Sequence, residues 1–150
     1  VRHNKAVAGK YKVNNYKAST FSGRFMAYAG LTILFFVLYH LAHFTFGVVD
    51  ANAYGMEATL ENGRQVHDVY SMVVLGFRNV LVSLFYIVAV VFLGFHLKHG
   101  VHSMFQSLGI HGKKFTPMIQ KVAAVFAVVI VISLISIPIS IMLGIVGGQV

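Results

Sequence analysis

Two histidines lie inside long apolar runs, His40 in TILFFVLYHLAHFTFG and His96 in FYIVAVVFLGFHLKHG. An imidazole surrounded by hydrocarbon must give its ring nitrogens to another helix, a water or a metal, so an ionisable residue at membrane depth is a functional candidate by default. The chain contains no Cys, which rules out thiolate-held iron–sulfur clusters and covalent c-type haem attachment within it and leaves His as the metal ligand. Haem iron is the commonest apolar-site partner for such a pair. The competing reading of each histidine is a hydrogen-bonded core residue, and the placement of the pair at opposite depths favours ligation.

The elements that must position them are membrane spans. Hydrophobic residues make up 57% of the 150 positions and charged residues only 11%, far from the quarter or so of charged residues in globular chains. Charges are absent from Phe25 to Val49, from Asn79 to Leu97 and from Val122 to Val150. Each stretch reaches the roughly 20 residues that cross about 30 Å of hydrocarbon. The expected fold is therefore an all-α membrane protein, a single domain over 1–150 with spans at about 24–49, 79–106 and 117–146. With three spans, residues 1–24 and the stretch Lys98–Lys121 share one side and carry Arg2, Lys5, Lys10, Lys12, Lys17, Arg24, Lys98, Lys113, Lys114 and Lys121 with no acid. The opposite side holds Arg64 and Arg78 with Asp50, Glu57, Glu61 and Asp68. The excess of cations predicts that the first side, N-terminus included, is cytoplasmic in a cell inner membrane. Lipid headgroups or a cytoplasmic partner explain this patch more simply than nucleic acid does.

Counted from Arg24, His40 falls roughly 24 Å along the first span, near the outer surface; counted from Asn79, His96 falls roughly 26 Å along the second, near the inner one. They cannot both ligate one iron. Two cofactors stacked across the membrane, each with a further ligand from elsewhere, is the economical arrangement. His43 and His99 follow three residues after them on the same faces, nearer the interface, where hydrogen bonds to lipid, water or a propionate suffice. His102 and His111 fall in the inner cap.

Thr116 and Pro117 suit a cap and first residue for the third span, and Gly109 and Gly112 flank its approach. Pro138 is expected to kink that span, and Ser133, Ser136 and Ser140 form a narrow small-residue face suited to helix packing. The segment from Asp50 to Arg78 exceeds a minimal connection, and its QVHDVYSMVVLGF suits a short amphipathic helix over the outer cofactor. His67, Asp68 and Tyr70 there are candidates to exchange protons with a quinone, against the plainer expectation of solvated loop residues. The first twenty residues contain no apolar signal-peptide core, and the absence of an initiator Met suggests the later part of a longer polypeptide.

The pattern HLxHGxxSxFQSLG from His96 to Gly109, preceded by VYSMVVLGF and FYIVAVVFLGF, resembles the membrane cytochrome b subunit of succinate:quinone oxidoreductases (succinate dehydrogenase and fumarate reductase), in particular the single-subunit dihaem b558 family. SGRFMAYAGLTILFFVLYHLAHFTFG looks like that family's span with Ser and Arg at its inner start and a ligand His late in the helix. The resemblance covers about residues 20–145. It implies a five-helix bundle holding two haems b, one His from each of four helices, with His40 on the distal haem and His96 on the proximal one. The remaining two ligands would lie on helices outside this sequence. Ser22, Arg24, Lys98, Ser103 and Gln106 become candidates to meet the inner haem's propionates, Arg24 first among them for its bidentate fork. The resemblance also implies anchorage of a flavoprotein and an iron–sulfur protein, exchange of electrons with membrane quinone, and dicarboxylate chemistry on the flavin rather than here. Some members carry a carboxylate two residues before the second-span His; here the position is Gly94. Two other classes use the same histidines: a small transporter with a proton or metal-ion relay, and a structural anchor with helix–helix hydrogen bonds.

Overall fold

The computed structural model describes residues 21–110 and 112–148, and the side chains of 21–24 lie outside the description. Three of its helices are long and apolar enough to cross a membrane, Phe25–Thr45, Val80–Ser107 and Phe115–Met142. The first consists of α1 (Phe21–His40) and a π-helical turn, Leu41–Thr45, that begins directly after His40. Short α2 (Ala51–Tyr54), the antiparallel pair β1 (Glu57–Thr59) and β2 (Gln65–His67), and α3 (Val69–Arg78) follow. The long helices α4 (Val80–Ser107) and α5 (Phe115–Met142) complete the order.

The span ends are set by glycine. The first span stops at Thr45 rather than near 49, where Gly47 takes a left-handed φ of 64°. The third stops at Met142 rather than near 146: Gly144 at φ 70° lets its own N–H reach Ile141 O at 3.0 Å and that of Ile145 reach Ser140 O at 2.9 Å. That pair of bonds is a Schellman cap, and Gly109 closes α4 in the same way, with Gly109 N to Gln106 O at 3.0 Å and Ile110 N to Phe105 O at 3.0 Å. At the start of α5 the expected cap is displaced. The helix begins at Phe115, and Thr116 reaches backwards instead, its Oγ1 accepting from Gly112 N at 3.1 Å while its own N–H donates to Gly112 O at 3.0 Å. Pro138 sits inside an unbroken α5.

The all-α expectation needs one amendment. Glu57 pairs with His67, Ala58 with Val66 and Thr59 with Gln65, joined by a turn in which Gly63 has φ 78° and Asn62 Oδ1 accepts from Arg64 N at 3.1 Å.

Helices α1 and α4 run antiparallel, with Phe25 stacked on Phe92 at 5.6 Å near one end and Phe36 beside Phe85 at 6.2 Å towards the other. Helices α4 and α5 meet at Gly94, where a Cβ would fall 2.5 Å from Cγ2 of Val131. Buried Ala127 and Ala123 lie one and two turns before Val131 on α5, so small residues do admit a close helix contact. The serines expected in that role are elsewhere. Ser133 and Ser136 are exposed, and Ser133, Ser136 and Ser140 all donate within their own helix, to Val129 O, Ser133 O and Ile137 O.

The core gathers at the end of the bundle that carries the acids. Val74 and Phe77 of α3, Tyr86 of α4 and Ile141 of α5 form its buried centre, flanked by Phe36, Tyr39, Phe44, Val73 and Val82. Helix α3 turns straight into α4 at Asn79, whose side chain accepts from Leu81 N and Val82 N, while Ser83 donates to Phe77 O at 2.6 Å. Arg78 donates to Gly147 O at 2.6 Å and ties this corner to the chain beyond α5. Away from the core, side chains such as Phe35, Leu81, Val125 and Ile132 are more than 60% exposed, which suits a surface solvated by lipid rather than water.

Candidate functional site

Tyr86 is the hub of the acid-bearing end. It comes from the middle of an apolar run, is 5% exposed, and its hydroxyl lies 3.2 Å from Nδ1 of His43 and 3.4 Å from Nδ1 of His40. A phenol has one hydrogen to give and lone pairs to receive with. Either direction round the hub satisfies the hydroxyl and both Nδ1 atoms, and in one of them His40 Nδ1–H donates to the Tyr86 oxygen while Tyr86 O–H donates to His43 Nδ1. That tautomer leaves the lone pair of His40 on Nε2, the form in which an imidazole binds a metal while its other nitrogen is held by a hydrogen bond.

The two histidines of this end differ in what surrounds them. His43 is 3% exposed, its ring stacked on Phe44 at 4.0 Å. Helix α3 covers it through Gly76, where a Cβ would stand 3.2 Å from His43 Nε2 and 3.1 Å from Phe44 Cε1. The expectation that His43 relies on interfacial partners is corrected by this cover. His40 is exposed and lines a pocket of about 500 Å³ with Phe36, Phe44, Met72, Phe77, Tyr86 and Pro138 among its walls. That volume lies within the range of cofactor and small-molecule sites. The pocket is open to one side and almost wholly apolar, and His40 is the imidazole on its wall.

His96 occupies the other end. Tyr86 marks the level of His40, and His96 is ten residues further along α4, a displacement of about 15 Å at 1.5 Å per residue. One metal ion cannot bridge that. His96 is partly buried, its Cε1 is 3.6 Å from where a Cβ on Gly30 of α1 would lie, and its Nδ1 is buried without a hydrogen-bond partner. The same is true of His102 Nε2. A buried imidazole nitrogen with no acceptor or donor carries a free-energy cost, which singles out both rings.

The other candidates scatter. Lys98 lies with Val91, Gly94 and Phe95 on the face of α4 that meets α5, about 200° around the helix from His96. Ser103 is partly buried and Gln106 exposed. The side chains of Ser22 and Arg24, and all of His111, lie outside the described residues. Among the proton-exchange candidates, Asp68 caps α3: Oδ1 accepts from Ser71 N at 2.9 Å and Oδ2 from Ser71 Oγ at 2.6 Å. These bonds hold its carboxyl below the usual carboxylate range. His67 packs against Tyr54 at 4.7 Å, and Tyr70 is 56% exposed.

Among the described residues no three His, Cys, Asp or Glu side chains come together to hold a metal ion. A prosthetic group that brings its own ring ligands asks only one imidazole from each helix, and the His40 pocket suits that demand. Compared with protein-family models, curated proteins and solved structures, the chain matches none.

Proposed function

We propose that the chain is a membrane-anchor cytochrome b subunit of a succinate:quinone oxidoreductase, part of a five-helix bundle in which His40 and His96 each ligate a different haem b. The observation that carries the reading is the pairing of His40, held through Nδ1 on the wall of an apolar pocket of about 500 Å³, with a second imidazole, His96, ten residues further along α4 than the Tyr86 that holds His40. Haem b supplies one-electron transfer without a proton. The residues of this chain supply the rest. Tyr86 holds Nδ1 of His40 and so orients the ring; Phe36, Phe44, Phe77 and Pro138 exclude water from the pocket; and about 15 Å along the axis separates the two imidazoles, a spacing that suits transfer from one face towards the other.

The further ligands come from helices not among the three described. Lys98, Lys113, Lys114 and Lys121 give the inner end its positive, acid-free surface, suited to a flavoprotein and an iron–sulfur partner on the cytoplasmic face. Quinone, which takes two protons with two electrons, is the membrane substrate of this reading. Asp68 is committed to capping α3, so His67 and Tyr70 are the exposed groups of that segment left to exchange protons. The position at which some family members carry a carboxylate is Gly94, packed against Val131, so the reading assigns no proton route there.

Reduced-minus-oxidised spectra of the purified complex test the proposal. The expected result is two b-type components, one lost in His40→Ala and the other in His96→Ala, with the flavoprotein and iron–sulfur protein still co-purifying. Bound metal ion without b-type bands would replace this reading with the transporter, and neither signal would leave a structural anchor.

A further inference from the structure

A second concavity lies on the opposite side of α4. Val91, Gly94, Phe95 and Lys98 of α4 face Ala124, Ala127, Val128, Val131 and Ile132 of α5 across an open groove of about 290 Å³. Both sets follow a helical stripe. On α4 the stripe ends in Lys98, and on α5 it continues one turn beyond Ala124 to Lys121, both lysines exposed. The apolar part, Val91 to Lys98, is about 10 Å long, which fits within one leaflet of a bilayer whose core is about 30 Å thick. It exists because Gly94 brings the helix backbones together while Ala124 and Ala127 leave room beside the contact. No acid lies at this end of the molecule: all four, Asp50, Glu57, Glu61 and Asp68, belong to the segment before α4.

We propose that this groove binds one anionic phospholipid, an acyl chain lying along Val91, Phe95, Ala124 and Val128 and the phosphate held by Lys98 and Lys121. Basic pockets between membrane helices recognise anionic headgroups in this way, and lysine stems can run along apolar surface while the ammonium stays at the headgroups. The site does not depend on haem ligation, since neither His40 nor His96 lines it.

The chain has no Trp, so Val125→Trp, at a position 63% exposed beside Ala124 and Val128, gives a single fluorescent reporter on the groove's lip. The full chain would be reconstituted into phosphatidylcholine vesicles containing either chain-brominated phosphatidylglycerol or chain-brominated phosphatidylcholine. The anionic lipid should quench at a mole fraction several-fold lower than the zwitterionic one. Each lysine is worth roughly fivefold in that preference, so the reporter carrying Lys98→Gln and Lys121→Gln should lose nearly all of it. The reporter carrying Lys113→Gln and Lys114→Gln, equal in net charge, should keep it, and Ala124→Phe, which fills the groove and spares both lysines, should lose it. Equal quenching by the two lipids would overturn the site. So would equal loss in the two lysine pairs, which marks a diffuse surface charge, or quenching by neither lipid, which marks a groove covered by protein.

Discussion

Replacing Tyr86 by Phe removes one oxygen and leaves the ring, so it isolates the hydrogen bonds of the hub from its packing. The T-shaped contacts of the Tyr86 ring with Phe36 at 5.0 Å and Phe77 at 4.9 Å survive the change. What is lost is the hydroxyl shared between His43 Nδ1 at 3.2 Å and His40 Nδ1 at 3.4 Å. His40 is exposed to the pocket and can turn; His43, 3% exposed and held between Phe44 and α3, cannot. The cost is therefore mainly one buried unsatisfied nitrogen on His43, about 1–3 kcal/mol. Removing both polar partners of the buried pair should be milder than the two single changes suggest, so His43→Leu with Tyr86→Phe is expected to show a coupling of about 1 kcal/mol or more. Unfolding in mixed micelles of increasing denaturing-detergent fraction measures the three variants against the parent. On the proposed reading, in which His40 and His96 each ligate a haem b, the same change releases the ring of His40, so one b-type component should weaken in retention about 10–100-fold while the other is unchanged. Tyr86→Phe with parental stability and two unaltered components would refute the hub.

Gly94→Ala should destabilise the α4–α5 pair by about 1–3 kcal/mol, since the new Cβ meets a stiff valine, and Val131→Ala should restore much of the loss; unfolding of the single and double variants checks the compensation. The Asp68 cap gives a pH dependence with a definite sign. Because Ser71 lowers the folded-state pKa of Asp68, the cap contributes fully above the ordinary carboxylate range and is lost as pH falls through the lowered folded value. Hydrogen exchange of the α3 amides should accelerate through that acid range relative to its pH-corrected intrinsic rate in the parent, and Asp68→Ala should be open already at neutral pH with no such acid transition.

The spans were readable because their signal is the absence of charge over a bilayer's width, which needs no knowledge of neighbours. The faces of those spans were not. Helices α4 and α5 are apolar nearly all round, so periodicity does not say which side meets a partner. Serine spacing therefore suggested a contact that Gly94, Ala123 and Ala127 provide instead. A local signal went unused in ENGR, where Asn62 and Gly63 are a hairpin pair, and the small sheet followed from it. Tyr86 also announced itself, as a phenol in hydrocarbon that must find a partner.

His40 and His43 show where sequence stops and tertiary structure decides. They are one helical turn apart, and rules of depth make His43 the more interfacial of the two. The fold reverses their environments because α3 returns from the surface and lays Gly76 on the His43 ring, with Arg78 pinned to Gly147 beyond α5. Nothing within the first span encodes that cover; it depends on residues more than thirty positions later. Once His43 is enclosed, Tyr86 can be shared between a fixed imidazole and an accessible one. The accessible one, His40, is then held through Nδ1, which leaves Nε2 as the nitrogen it has for chemistry.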